Sequence, residues 1–271
     1  MEIWYSILQN FVRRNITNHA DRLPAISGVA REIARLTGYR YVVGLWSKDI
    51  WPGLLWSTNG KAKRLEDAQE PSWSWASIEL DFDDQILHFT PRNFPLSTIW
   101  ASVLGINIPS VGNDPFGQVN NARLHLKGPC QYGSQLCAWL RDNGYPDNDG
   151  PIPRFIKFSL DCSSDSLAFE KHDVMFLQIA SGVNDTVPSM AASIKPRGPQ
   201  SMQGPGAINL VTTQPSLHET HSEANMVRYA LVLKPTGLAN LEFKRIGIST
   251  IPYFMARTTT NTWKPESIAV V

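Results

Sequence analysis

The chain has 271 residues, with 25 basic and 24 acidic side chains and a formal net charge of +1. That balance speaks against nucleic-acid binding and against electrostatic docking on an anionic membrane, both of which need a basic patch. The short clusters Arg13-Arg14 and Lys61-Ala-Lys-Arg64 read as solvated faces. Three cysteines, Cys130, Cys137 and Cys162, are few and odd in number for a secreted scaffold, which favours a reducing, cytoplasmic setting. No apolar run approaches the ~18 residues of a membrane span, and the N-terminus lacks the basic flank and apolar stretch of a signal peptide. Asn15-Ile-Thr17 and Asn184-Asp-Thr186 match the glycosylation sequon, a match without weight unless the chain is secreted.

Residues 1–38 read as helical. Trp4, Leu8, Phe11 and Val12 recur at helical spacing, as do Leu23, Ile26, Val29, Ala30, Ile33 and Leu36. Asp21, three residues before Pro24, marks a helix start, and Gly38 closes the helix as a left-handed cap. Asp21 and Arg22 at the helix entrance are expected to form a cap and a salt bridge.

Tyr41 to Trp56 carries Trp46, Trp51 and Trp56 at intervals of five. Pro52 interrupts any long helix, so two short helical turns are expected, with the indoles packed against the second helix. Residues 57–70 are polar and read as a loop. In Pro71-Ser-Trp-Ser-Trp-Ala76, Trp73 and Trp75 alternate with small residues, which predicts a strand with both indoles on one face.

From residue 77 the pattern changes to strands: 85–89, 99–108, 122–127, 154–161, 173–180, 227–234, 241–249 and 267–271. Many short strands with Pro and Gly between them point to an antiparallel sandwich or barrel. Residues 181–226 are rich in Pro, Gly and Ser and read as a disordered insertion, since they cannot bury enough apolar surface to offset ordering. The expected fold is α+β: a helical, Trp-rich segment over 1–76 that ends in a strand, packed on a β-rich domain over 77–271.

No nucleophile elbow, phosphate loop, dinucleotide fingerprint or His-Glu-x-x-His occurs. Asp81, Asp83 and Asp84 form an acidic turn without the glycine and distal glutamate of a calcium loop. His218 and His221, three apart, fall in the low-complexity stretch. Cys130 and Cys137 read as small hydrophobes rather than a metal pair. No cofactor and no metal are expected, and hydrolase chemistry is disfavoured. Six of the nine tryptophans lie in the first 75 residues. Trp46, Trp51, Trp56, Trp73 and Trp75 are either a core or an aromatic platform for stacking a ligand such as a carbohydrate. The neighbouring Leu45, Ile50, Leu54 and Leu55 favour the core.

Four phrases, Asp21-Arg-Leu-Pro-Ala-Ile-Ser-Gly-Val-Ala-Arg31, Tyr41-Val-Val-Gly-Leu-Trp46, Leu54-Leu-Trp56 and Pro71-Ser-Trp-Ser-Trp-Ala76, occur in an order and spacing that resemble fungal heterokaryon-incompatibility (HET-domain) proteins downstream of their HET domain. Tyr229-Ala-Leu-Val-Leu-Lys-Pro-Thr-Gly237 and Phe243-Lys-Arg245-Ile-Gly247 resemble the closing strands of the same proteins. The match covers residues 3–90 well and 154–271 more loosely. The signature of the HET domain itself is absent. Where the family carries a Tyr-Ser-x-Arg-x-Leu-Thr phrase, this chain reads Phe11-Val-Arg-Arg-Asn-Ile-Thr17 and keeps only the Arg and Thr.

The resemblance implies a C-terminal part of such a protein, acting as a non-enzymatic accessory or regulatory module in fungal allorecognition and programmed cell death. Its partner would be a HET domain, in cis or in trans. The structural or interaction residues it singles out are Asp21, Arg22, Trp46, Trp51, Trp56, Trp73, Trp75 and Arg245, and no catalytic residue carries over. The second reading is a ligand- or carbohydrate-binding β module.

Overall fold

The computed structural model describes residues 1–14, 16–58, 62–65, 68–80, 87–89, 96–142, 156–166, 173–183, 226–252 and 262–271. The class is α+β. Two helices, α1 (Glu2–Phe11) and α2 (Arg22–Thr37), open the chain. Between them a 3-10 turn, His19–Asp21, is capped by Asn18, whose side chain accepts from the Ala20 N–H. Gly38 ends α2 at φ 69°, the left-handed cap its sequence position predicts. The apolar stripe of α2 is narrower than its periodicity suggests. Leu23, Ile26 and Ala30 are buried, whereas Val29 and Leu36 are exposed.

Residues 41–57 differ from the two helical turns expected. β1 (Tyr41–Val42) and β2 (Leu45–Trp46) form a hairpin whose turn, Val43-Gly44, has positive φ at both residues. That backbone matches the strand twist, and it explains why a glycine stands there. A 3-10 turn (Ser47–Asp49), the five-residue α3 (Ile50–Leu54) and β3 (Trp56–Ser57) follow. Within the stretch expected to be loop, β4 (Lys63–Arg64) pairs with β5 (Ile78–Glu79), and β3 pairs with β6 (His88–Phe89).

The strand expected over Trp73–Trp75 is not formed. A turn leads into a 3-10 helix, Trp75–Ser77, capped by Ser74, which accepts from the Ala76 N–H. Serine side chains here compete for backbone groups that a strand would give to a neighbour.

The β-rich part follows the expected strands closely. β7 (Leu96–Ile99), β8 (Ser102–Asn107), β9 (Arg123–Tyr132), β10 (Lys157–Leu160), β11 (Met175–Val183), β12 (Met226–Pro235), β13 (Glu242–Pro252) and β14 (Lys264–Val270) lie in one sheet. Two elements were not foreseen: β7, since the single strand expected over 99–108 breaks at Trp100-Ala101 and Leu96–Ile99 stands apart, and the helix α4 (Gly133–Asp142), directly after β9. Residues 181–183 and 226 belong to β11 and β12, so the expected insertion loses its ends. Its remainder, with His218 and His221, lies outside the described residues, as do Asn15, Asn184, Asp81, Asp83 and Asp84.

Five of these strands close into a small barrel in the order β9-β11-β12-β13-β14 and back to β9. An odd ring cannot alternate direction all the way round, so one neighbouring pair must be parallel. It is β13–β14, with Glu242 opposite Ala269 and Phe243 opposite Val270. Along one edge β9 pairs first with β8 and then with β11. The hand-over falls at Gly128, where a Cβ would meet Leu177 Cδ1 at 2.9 Å and Ala101 Cβ at 3.0 Å.

Alternate side chains of the barrel strands, including Leu124, Leu177, Leu231, Ile248 and Ile268, belong to one apolar cluster. Intervening residues Phe176, Val232 and Ile246 form a second cluster with Leu136 and Leu140 of α4. β11 and β12 are therefore covered on both faces, which is why they read as continuous apolar runs. The first cluster also holds Trp4, Leu8, Leu23, Trp46, Trp56, Trp73 and Trp75. The N-terminal helices and the barrel thus share a core.

Candidate functional site

The residues singled out in the sequence converge on the junction between the N-terminal layer and the barrel. Its first part is the Val43-Gly44 turn. The Gly44 carbonyl accepts from two indoles, Trp75 Nε1 at 3.0 Å and Trp4 Nε1 at 3.2 Å. Ser74 Oγ donates to the Val43 carbonyl at 2.8 Å. Trp46 sits edge-on to Trp4 and Tyr41, with centroids 5.5 and 5.4 Å away. A Cβ on Gly44 would lie 2.4 Å from Trp75 Nε1, so the approach of the indole requires glycine.

Arg245 forms the second part. Its side chain leaves β13 and enters the junction fully buried. The guanidinium lies 3.5 Å from the centroid of the Trp56 ring. It donates to the Leu54 carbonyl at 2.9 Å, to the Trp56 carbonyl, and to Asp161 Oδ1 at 2.9 Å. The Trp56 indole in turn donates to the Trp73 carbonyl at 2.9 Å. The Arg245 backbone N–H donates to Ser72 Oγ at 2.8 Å, and Ser72 reaches the Val271 carbonyl. One side chain therefore ties β13, α3, β3 and the strand-end at Asp161 together.

Asp161 also faces Arg64 at 3.6 Å, and Arg64 bonds Asp165 at 2.9 Å and the Arg245 carbonyl at 3.1 Å. Burial pushes the Asp161 carboxyl up and the Arg245 guanidinium down, and each is the other's main compensation. For Arg64 burial also opposes the charge, but Asp161 and Asp165 outweigh it and hold the side chain up. Two arginines and two aspartates thus balance in charge. Burial pushes the neighbouring Cys162 thiol up to about 12, so it stays neutral.

Chemically this assembly is a lock. Arg245 and Asp161 are 0% exposed, and groups sealed from solvent cannot meet a substrate. The same holds for the aromatic set: Trp46, Trp56, Trp73 and Trp75 are at most 1% exposed. They form core and present no ring to a ligand, which removes the stacking platform from that set. Trp51 is partly buried and packs against the same core.

Asp21 and Arg22 do not form the expected pair. Asp21 makes no side-chain cap. Arg22 is buried and donates to the Ile78 carbonyl of β5. Burial lowers its basicity, opposed by the fields of Glu79 and Glu70.

Sequence reasoning missed Asp161, Arg64, Asp165 and Ser72. Arg64 falls in the basic cluster that reads as a solvated face, and Asp161 only ends the strand expected over 154–161. The available signal was Arg245 itself, which follows the exposed Lys244 and shares the buried face of Phe243, so that a cation there demands a buried partner. Among the described residues no group of three or more His, Cys, Asp or Glu is placed to hold a metal, and no helix is long and apolar enough to cross a membrane. Compared with known proteins, the chain matches no protein-family model, no curated protein and no solved structure.

Proposed function

We propose that the chain is a non-catalytic accessory module of a fungal heterokaryon-incompatibility protein, working in the cytoplasm with a HET domain in cis or in trans. One observation supports this reading above others. Phrases far apart in sequence, Tyr41–Trp46, Leu54–Trp56, Pro71–Ala76 and Phe243–Gly247, meet at one junction through the Gly44 carbonyl and the Arg245 guanidinium. The side chains that carry the resemblance do structural work together, as they would in a shared scaffold. The reading gains from the helical layer, where Ile3 is 74% and Leu36 67% exposed. Apolar side chains left outside on α1 and α2 suit an interface with another domain.

The test is association. The chain is mixed with a HET domain taken from a protein bearing the same phrases and followed by light scattering. The expected result is a complex that is lost in the Ile3→Asp/Leu36→Asp variant while the melting temperature holds. A chain that stays monodisperse and monomeric, alone and with the domain, would count against the module reading.

A further inference from the structure

Beside the junction, Leu65, Ala68, Gln69 and Glu70 line two cavities. The smaller, about 140 Å³, is lined by Arg64, Lys244, Asn121 and Ser72. The larger, about 500 Å³, opens between the 3-10 turn before α2 and the segment following β8. Leu65, Val111 and Val119 give it apolar walls, and the amides of Asn18, Gln118 and Asn120 stand among them. Among the described residues its lining contains no lysine or arginine, and His19 is its one imidazole.

Glu70 lines both cavities and is only 9% exposed. Among the described residues it has no ion-pair partner within 4 Å. Its carboxylate is held by the backbone N–H groups of Gln69 and Glu70, and burial raises its pKa. Arg22, the cation whose field reaches it, spends a donor on the Ile78 carbonyl. A desolvated carboxylate with no cation within 4 Å among the described residues, at the wall of an apolar cleft, is a costly feature for a fold to keep for stability alone.

We propose that this cleft binds an organic cation on an aliphatic stem, a lysine or arginine side chain or a free amine of that shape, with Glu70 as its counter-ion. The walls suit the methylene stem, which long cationic side chains bury readily. The amides accept or donate the remaining hydrogen bonds, and the carboxylate matches the charged head. A divalent metal fits less well, because it needs several oxygen ligands and Glu70 is the one carboxylate among the described residues of the lining. The cation chemistry stands independently of the accessory-module reading. Only the source as a side chain of a partner protein rests on it.

The experiment is calorimetric titration of the full chain with two probes, acetyl-arginine methylamide and the peptide acetyl-Ala-Ala-Arg-Ala-Ala-amide. A peptide with norleucine in place of arginine is the control. Saturable binding is expected for the arginine probes and none for norleucine. Glu70→Gln should weaken binding by about tenfold or more, the loss of one charge-assisted contact. Val111 is 48% exposed at the cleft, so its variants do not disturb the core. Val111→Lys should weaken binding and Val111→Glu should strengthen it. Tighter binding of the peptide than of the amide points to a protein source, and equal binding points to a free cation. Absence of saturable heat with either arginine probe overturns the proposal. So does norleucine binding as well as arginine, or affinity unchanged by both Glu70→Gln and Val111→Lys.

Discussion

Replacing Arg245 with methionine tests the lock most directly. The variant keeps an apolar stem of similar length but removes the charge facing Asp161 and the donors to the Leu54 and Trp56 carbonyls. Removing one partner of a buried pair costs about 3–5 kcal/mol. The orphaned carbonyls and the lost stacking on Trp56 each add roughly 1–2 kcal/mol, though these terms overlap. We expect a total of about 4–6 kcal/mol, a large share of the ~5–15 kcal/mol stability of ordinary domains. In urea, with an m-value of about 3 kcal/mol/M, the midpoint should fall by about 1.3–2 M.

Circular dichroism and tryptophan fluorescence should report the same transition. A double-mutant cycle with Asp161→Asn should give a coupling energy of about 2–3 kcal/mol. Arg245→Lys should recover little of the loss, because a point charge cannot serve several fixed acceptors as the planar fork does. A loss below about 1 kcal/mol for Arg245→Met, or a coupling near zero, would refute the lock.

Three further expectations follow from the same geometry. Gly44→Ala combines a φ of +84° with a Cβ placed 2.4 Å from Trp75 Nε1, so it should cost about 2–5 kcal/mol and shift tryptophan emission to the red, measured by denaturation. A variant as stable as the parent would show that Trp75 does not need that approach. Cys130 and Cys162 are pushed up to about 12 and buried, while Cys137 is partly exposed. At mildly alkaline pH a thiol reagent should label Cys137 first and reach the other two only after unfolding, read by peptide mass. Burial raises the Glu70 carboxyl, so the folded state binds its proton more tightly than the unfolded chain. Its contribution to stability should therefore grow as pH falls from neutral towards the unfolded value of ~4.3. Glu70→Gln should raise the melting temperature at neutral pH, and its difference from the parent should shrink on acidification. A destabilised variant at neutral pH contradicts this.

The strands from 102 onward were legible because each carries its own signal. Arg123-Leu-His-Leu-Lys127 alternates, and β11 and β12 are apolar runs between polar stretches. Closure of the barrel was not legible, since it depends on β9 pairing with β11 at Tyr132–Met175, a contact no local pattern encodes. α4 was missed because Gly133, Ser134 and Cys137 resemble loop more than helix. Trp73 and Trp75 were read as a strand because alternation fits one. In the folded chain residues 71–78 are buried throughout, and a stretch buried on every side erases the contrast that periodicity needs. Asp161 was invisible for the opposite reason: its partner Arg245 lies 84 positions away.

The composition of the junction has a physical cause. Among the described residues between Tyr41 and Glu79 each strand is two residues long, so ladders satisfy few backbone groups. Buried irregular backbone must then find donors elsewhere. Here they are three indoles, the hydroxyls of Ser74 and Ser77, and the Arg245 fork. Tryptophan suits the task because one side chain fills volume and supplies a single N–H. A resemblance carried by such phrases therefore speaks to architecture. Two chains that share them must solve the same burial problem, whatever each does at its surface. Specific activity has to be sought where the lock leaves side chains free to meet a partner: on the outer faces of α1 and α2, and in the cleft that Glu70 lines.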